Sequence, residues 1–425
     1  MRQFEVFCQR YRNRFTHDAK AARRAGLEKE FLAVNAEGEM ADIGARIWPL
    51  MLSAGYKPVY DEYYRDLIVA FWDGNDQIAL DAGRGTFEII MAPQKSVQTA
   101  EKRMKEILKL VLEMCRRENI SLLGLGYQPK TLPARDNWNR RQRYEVLLDY
   151  YGEAVFPASL SASDQVHIDA CEDELVKVIN VMNGLAGFFA VLLANCPVFS
   201  GPNKFKAYRE VIWDDLGEDR TGLPDSPVVS VEDYLSRLWK LTCMMANDGE
   251  KYFSPGVPFA DYVKDMNDED TFKAFVAHEG SVWFCARPRV YGTIEMRPAC
   301  LQPWNDMVAV TALTMGLMEN LDESEMFIKQ FRWDTLRALR KDAVSLGFEA
   351  KLHGLPVARF AKEVVELSAR GLKKRALAEE KYLDCLFERV HAQKAPVDTG
   401  RDYFLKGGMD LLLEKSSLNE DQLKI

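Results

Sequence analysis

At 425 residues, with 47% hydrophobic and 28% charged side chains, the chain has material for a sizeable core and lies outside the disordered and fibrous classes. A net charge of -8 gives no electrostatic case for nucleic acid. Eight cysteines (Cys8, Cys115, Cys171, Cys196, Cys243, Cys285, Cys300 and Cys385) include no Cys-x-x-Cys pair, which suits reduced thiols in a cytoplasmic protein better than a disulfide framework or a zinc site.

Residues 1–22 read as an amphipathic helix, with Phe4, Phe7, Tyr11 and Phe15 at helical spacing. The basic run from Arg10 to Arg24 is its solvated face rather than an RNA-binding arm. The charged N-terminus has no secretory h-region. A strand over 26–34 follows. Its side chains alternate, so Glu28 and Glu30 share one face while Leu27, Lys29 and Phe31 share the other. Two adjacent carboxylates on one strand face imply either open solvent or a cation between them.

A helix is predicted over 41–53, then strands over 67–72 and 77–81 around the Asp-Gly-Asn-Asp turn at 73–76. Another strand, 85–90, carries Glu88, and a long helix covers about 96–118. A strand over 121–127 precedes a Pro- and Arg-rich loop, 128–142. In 163–169, Gln165, His167 and Asp169 alternate with Val166 and Ile168. The uncharged run 178–199 reaches membrane-spanning length, but Asn180, Asn183, Asn195 and Pro197 interrupt it and no second span follows, so a buried core helix is expected and no membrane partner. The polar connection 200–226 is longer than a structural linker requires. Residues 292–298 form the last strand, with Glu295 and Arg297 on one face, and from Asp306 the chain is helical, broken at Gly354 and Pro396. Helix-separated strands, several in hairpins, predict an α+β fold with helices packed on one face of a mostly antiparallel sheet. One catalytic domain is expected over 1–425, a sheet-based core to residue 320 and a helical region over 321–425 packed on it.

If these strands share one sheet, Glu28, Glu30, Asp81, Glu88 and Glu295 converge with Gln165, His167 and Arg297 on its open side. Oxygen ligands at that density suit Mg²⁺ or Mn²⁺, and carboxylate-held cations beside arginines suit a nucleoside triphosphate. No Gly-x-x-x-x-Gly-Lys-Ser/Thr loop is present, which argues against a P-loop enzyme.

Gly26–Phe31, Gly83–Glu88, Gly124–Lys130, Arg143-Tyr144, Gln165–Asp169, Ala194–Pro197, Tyr208-Arg209 with Trp213, Asp219–Gly222 and Glu295–Arg297 stand in the order of a known family's motifs. Over about residues 20–320 the chain resembles glutamate–cysteine ligases of the plant and proteobacterial type and their actinobacterial relatives. The resemblance implies a glutamine-synthetase-like curved sheet and a role in glutathione biosynthesis. ATP would phosphorylate the γ-carboxylate of glutamate, and an amine acceptor such as cysteine would then displace phosphate. It assigns Glu28, Glu30, Asp81, Glu88 and Glu295, with His167, to two or three Mg²⁺ ions. Glu28, Glu88 and Arg297 take catalytic roles, and Lys130, Gln165, Arg220 and Arg297 meet ATP or phosphate. Arg84, Arg143, Tyr144, Tyr208, Arg209 and Trp213, with Arg135 nearby, bind substrate. A monomer or homodimer is expected. Two departures stand out. Gly-Arg-Gly-Thr-Phe-Glu replaces the family's Gly-Gly-Gln-Phe-Glu, which sets Arg84 beside the Glu88 strand, and Pro298-Ala-Cys300 follows Arg297 in place of a small residue and an acid.

Overall fold

A computed structural model describes residues 2–199 and 204–424. Nine strands make one sheet: β1 (Ala25–Val34), β2 (Lys57–Tyr60), β3 (Ile68–Asp73), β4 (Asp76–Leu80), β5 (Thr86–Gln94), β6 (Ser121–Leu123), β7 (Asp164–Asp169), β8 (Ala286–Arg289) and β9 (Thr293–Met296). Their order is β8-β9-β7-β1-β5-β4-β3-β2, with β6 also on β1, and every pairing is antiparallel.

Alternation along β1 decides what each face of the sheet carries. Leu27 and Phe31 turn to one side with Phe87, Ile89, Val166, Ile168, Ile294 and Met296, all buried. Phe31 stacks between Phe87 at 5.2 Å and Trp304 at 5.5 Å between ring centroids. Helices cover this face. Val97–Arg117 is started by Ser96, whose side chain accepts from the Thr99 N–H, and buries Met104, Ile107, Leu108 and Val111. Ala309–Glu319 lies behind β7 and is crossed by Val357–Arg375. Glycines permit that crossing: a Cβ on Gly371 would stand 1.8 Å from the Gly316 carbonyl oxygen.

Lys29 shares this apolar face with Leu27 and Phe31. It is 1% exposed and ion-paired with the fully buried Asp164 across the β1–β7 register, in which Lys29 opposes Asp164 and Glu28 opposes Gln165. Burial pushes the Lys29 ammonium down and the Asp164 carboxyl up, and mutual attraction opposes both shifts.

Several elements differ from the sequence expectation. The first helix ends at Arg12 rather than residue 22, because Arg14 Nε donates to the Val290 carbonyl at 2.8 Å and Thr16 bridges Cys171, drawing the chain out of helix. The 41–53 helix is two short helices, Ile43–Arg46 and Trp48–Ser53, divided where Pro49 lacks an N–H. Edge strand β2 contains Pro58, which an edge tolerates and which hides it from alternation-based reading. β6 stops at Leu123, since Gly124 presses on the Trp304 ring and Gly126 on Cys300. The uncharged run forms two helices, Leu175–Gly184 and Ala186–Leu193, bent by 44° and buried in the core. Among the described residues no single helix is long and apolar enough to cross a membrane. The C-terminal region breaks at the two expected places, a turn with Gly354 at φ +76° and Pro396, which opens the last long helix, and also near residues 329–332 and 376–379.

Breaking the Lys29–Asp164 pair from one side leaves a buried charge alone, so Lys29→Met or Asp164→Leu is expected to lower stability by about 3–5 kcal/mol, and the double variant to recover most of that loss. Urea unfolding of the four proteins checks it.

Candidate active site

The other face of the sheet carries the polar set. Register aligns it: Glu30 opposes Glu88, Glu28 opposes Gln165, His167 opposes Glu295, and Arg287 opposes Glu295 on its other side. Gln165 is the hub. Its Nε2 donates to Glu28 Oε1 and Glu30 Oε1, each at 3.0 Å, and to Ser163 Oγ at 2.9 Å, while its Oε1 accepts from Arg297. One fully buried amide therefore ties two carboxylates to a guanidinium.

The carboxylates fall into two electrostatic groups. Glu295, 1% exposed, is saturated by cations: Arg287 holds it bidentately at 2.9 and 3.1 Å, Arg289 donates at 3.1 Å, and Arg297 pairs with it directly. Burial disfavours its charge, but these guanidinium groups hold its carboxyl well below the usual range. Glu28, Glu30 and Glu88 lack such compensation. Burial and the neighbouring charge of Asp81 push Glu30 up to about 7, and burial together with Glu28 and Asp81 pushes Glu88 well above an ordinary carboxylate. Burial also acts against Glu28, yet hydrogen bonds from His167 and Glu88 bring it to about 2. Glu28 and Glu88 thus shift in opposite directions as a coupled pair. Glu30 Oε2 is buried with no hydrogen-bond partner among the described residues.

Around this core, Tyr144 OH donates to Asp81 Oδ1 at 3.1 Å and accepts from Arg143 at 2.9 Å, both residues entering on the helix Gln142–Tyr151. The helix Tyr208–Asp215 brings Arg209 and Trp213. The guanidinium groups of Arg209 and Arg297 lie 5.8 and 5.5 Å from the Trp213 ring, which packs on Trp283 at 5.1 Å. Arg209 also donates to the Arg297 carbonyl at 3.2 Å. This helix is held from behind by buried Arg340, bonded to Asp214 at 2.8 and 2.9 Å and to Glu210 at 2.9 Å. Arg209 Nε and Trp213 Nε1 are buried donors without a hydrogen-bond partner among the described residues. They are suited to an anionic group.

Glu28, Glu30, Asp81, Glu88, Gln165, His167, Glu295, Arg297, Arg143, Tyr144, Arg209 and Trp213 are therefore brought together. His167 sits 3.5 Å from Glu28 Oε2 and 3.3 Å from Thr293 Oγ1. The rest of the predicted set lies elsewhere. Arg84 is on the surface, paired with Asp42 and donating to the Asp136 carbonyl at 3.3 Å rather than standing beside Glu88. The chain turns between residues 81 and 86, so strand parity does not carry from Glu88 back to Arg84. Lys130 braces a loop through the Glu37 carbonyl at 2.6 Å, and Arg135 pairs with Glu145 at 2.9 Å. Tyr208 packs with Tyr127 and Phe199, at 4.9 and 5.6 Å. Arg220 is buried against the Thr242 carbonyl at 3.2 Å with Nη1 unpartnered. Residues 200–203 of the long connection lie outside the described residues. Sequence reasoning missed Arg287 and Arg289, although counting back from the hairpin turn at Gly292 pairs Arg287 with Glu295. Arg340 left no such signal.

Among the described residues no three His, Cys, Asp or Glu side chains stand in metal-holding geometry, and Glu295 is taken by arginines. The trio Glu28, Glu30 and Glu88 has a buried carboxylate oxygen left without a hydrogen-bond partner among the described residues, and like charges that a cation would relieve.

The family model for glutamate–cysteine ligase family 2 matches residues 24–403, nearly the whole chain. The chain belongs to that family. It is 24% identical over 360 residues to the chloroplastic glutamate–cysteine ligase of Medicago truncatula, covering 78% of this chain and 68% of that one. Against the Arabidopsis thaliana enzyme the figures are 25% over 361 residues, 78% and 67%. Among solved structures, the Francisella tularensis glutamate–cysteine ligase in complex with AMP superposes with a TM-score of 0.58 at 14% identity, covering 95% of this chain and 89% of that one. A bifunctional glutathione synthetase from Pasteurella multocida gives 0.50 at 13% identity, covering 97% and 52%. The fold of this family member is the glutamine-synthetase-like one.

Because Glu30 binds its proton more tightly folded than unfolded, the stability it contributes is present at low pH and lost as pH rises from about 4.5 towards about 7. Without added metal the thermal midpoint is expected to fall across that window, with a slope no steeper than about 1.4 kcal/mol per pH unit per group. Glu30→Gln should flatten it, as a calorimetric pH series would show.

Proposed function

We propose that this chain joins glutamate to cysteine through the γ-carboxyl group, with ATP as phosphoryl donor. The observation that carries this reading is the uncompensated carboxylate trio set against buried arginines on one sheet face, in a chain whose family and curated relatives are named for that ligation. The γ-carboxylate of glutamate takes the γ-phosphoryl group, ADP leaves, and the amine of cysteine attacks the resulting acyl phosphate to give an amide and phosphate. Glu28, Glu30 and Glu88 would hold Mg²⁺, which when bound offsets phosphate charge.

The chain's own groups do the rest by position. Arg297, anchored by Glu295 and by Gln165, presents a fixed guanidinium whose orientation needs no reorganisation as charge develops on the transferring phosphoryl oxygens. Arg209, stacked on Trp213 and bonded to the Arg297 carbonyl, offers a second cation and an unpartnered Nε–H for a substrate carboxylate. Tyr144 and Arg143 flank the site on the Asp81 side, linked to it through the Tyr144 hydroxyl. Cysteine as acceptor draws its support from the relatives' names, and a cytoplasmic setting from the chain's eight free thiols.

Phosphate release from ATP with magnesium, glutamate and a panel of amine acceptors tests the proposal. Release with cysteine and formation of γ-glutamylcysteine is expected. Silence with every acceptor would overturn the ligase reading, and preference for another amine would overturn cysteine. Glu28→Gln, isosteric with the native side chain, should lower turnover by about 10²-fold or more with its unfolding transition retained.

A further inference from the structure

On the helical side of the sheet lies a cavity of about 300 Å³, at the lower end of the range for small-molecule sites. The last long helix, Pro396–Ser416, lines it with both of its ends. A straight helix would set Thr399 and Lys415 about 24 Å apart, too far to meet at one cavity of this size. Non-helical backbone at Gly407 and Gly408, the latter at φ +67°, folds the two halves so that they do meet there. The floor is apolar and buried, made by Leu125, Trp304, Ala395 and Pro396. One carbonyl holds it to the far end of the helix: Ser416 O accepts from Trp304 Nε1 at 2.8 Å and from the Gly124 N–H at 2.9 Å. Charge around the cavity is one-sided. Asp306 is the only acidic lining residue among the described residues, and it is spent on Arg389 at 2.6 Å. Arg389 also donates to the Leu192 carbonyl at 3.0 Å and to Gln302 Oε1 at 2.7 Å, which fixes its guanidinium. Lys394 and Lys415 stand exposed at the rim, each paired only with an exposed carboxylate, Asp402 at 3.4 Å and Glu414 at 2.9 Å. Such exposed pairs are weak and yield readily to another anion.

We propose that this cavity is a second small-molecule site, on the opposite side of the sheet from the carboxylate trio, and that it takes a small carboxylate with a compact apolar body. An apolar floor under a cationic rim selects a ligand of the same polarity. The body lies on Trp304 between the two halves of the Pro396–Ser416 helix, and the carboxylate meets Lys394 and Lys415. A polyanion would have to bury charge against Leu125 and Trp304, and an uncharged body would leave the rim lysines to water. The floor also reaches the catalytic strand. Trp304 stacks on Phe31 at 5.5 Å with ring planes 3° apart, so an occupant stands one ring away from β1, whose other face carries Glu28 and Glu30. Occupancy therefore bears on glutamate binding at that face. This coupling rests on the ligase reading above, whereas the binding site does not.

Phenylacetate is the probe, with phenylacetamide as its uncharged isostere and acetate as the head without the body. Calorimetric titration of the full-length protein is expected to give one phenylacetate per chain with a Kd of about 5 mM or tighter. Acetate should bind at least about tenfold more weakly, and phenylacetamide about fivefold. Lys394→Glu combined with Lys415→Glu should weaken phenylacetate at least about fivefold and leave phenylacetamide unchanged. Thr399→Trp, at an exposed position of the mouth, should close the cavity to both, with its unfolding transition retained. Saturating glutamate should not displace the probe, and a filled site should change glutamate affinity at least about twofold. Binding that survives Thr399→Trp, or that glutamate displaces, would place the probe elsewhere and overturn the site, as would no binding at all. Equal affinity for phenylacetate and phenylacetamide would overturn the carboxylate. Unchanged glutamate affinity at a filled site would overturn the coupling through Trp304 and Phe31. A chain that binds phenylacetate as expected but ligates no amine would overturn the ligase reading and leave the site standing.

Discussion

Like charge crowded on one sheet face is the constraint from which the rest of the architecture follows. Three carboxylates on neighbouring strands, Glu28, Glu30 and Glu88, repel one another with little water to screen them, and two of them titrate high in consequence. The fold tolerates this because the opposite face is so apolar that the strands have no alternative register. A slip of one residue would drive Glu28 and Glu30 into a core built of Leu27, Phe31, Phe87 and Ile89. The one polar exception on that face, Lys29 with Asp164, reinforces the same register, because the ammonium reaches its partner only when Glu28 lies opposite Gln165.

Charge is then sorted across the sheet. On the β9 side Glu295 sits among arginines and is locked as an anion; on the β5 side burial and Glu28 push Glu88 up, and Glu30 keeps a buried oxygen without a hydrogen-bond partner among the described residues. Gln165 stands between, donating to one group and accepting from the other. An amide suits that position since it has both polarities and no charge of its own. The resulting gradient runs from the guanidinium groups of Arg297 and Arg209 to the carboxyl groups of Glu28, Glu30 and Glu88.

Much of this was legible in the chain. Alternation in Gly26–Phe31 placed the two glutamates and set Lys29 on the core side, the Asp-Gly-Asn-Asp turn fixed the β3–β4 hairpin, and Gly354 and Pro396 marked two of the C-terminal breaks, because each of these is a local backbone rule. What was hidden is non-local. Nothing near Lys29 named Asp164, and nothing near Trp213 named Arg340, which lies 126 positions beyond Asp214. Arg84 misled for the opposite reason. Its nearness to Glu88 in sequence crosses a turn, where parity is lost. The early end of the first helix likewise answers to tertiary tethers at Arg14 and Thr16, not to propensity.

The hub at Gln165 also has an evolutionary side. A residue that satisfies Glu28, Glu30, Ser163 and Arg297 at once has no conservative substitute: glutamate would add a fourth repelling charge, and leucine would orphan every partner together. Change at such a node demands several coordinated replacements, each harmful until the others arrive. A surface position such as Arg84, held only by Asp42 and the Asp136 carbonyl, carries no such coupling, and its replacement asks nothing of the strands that build the site.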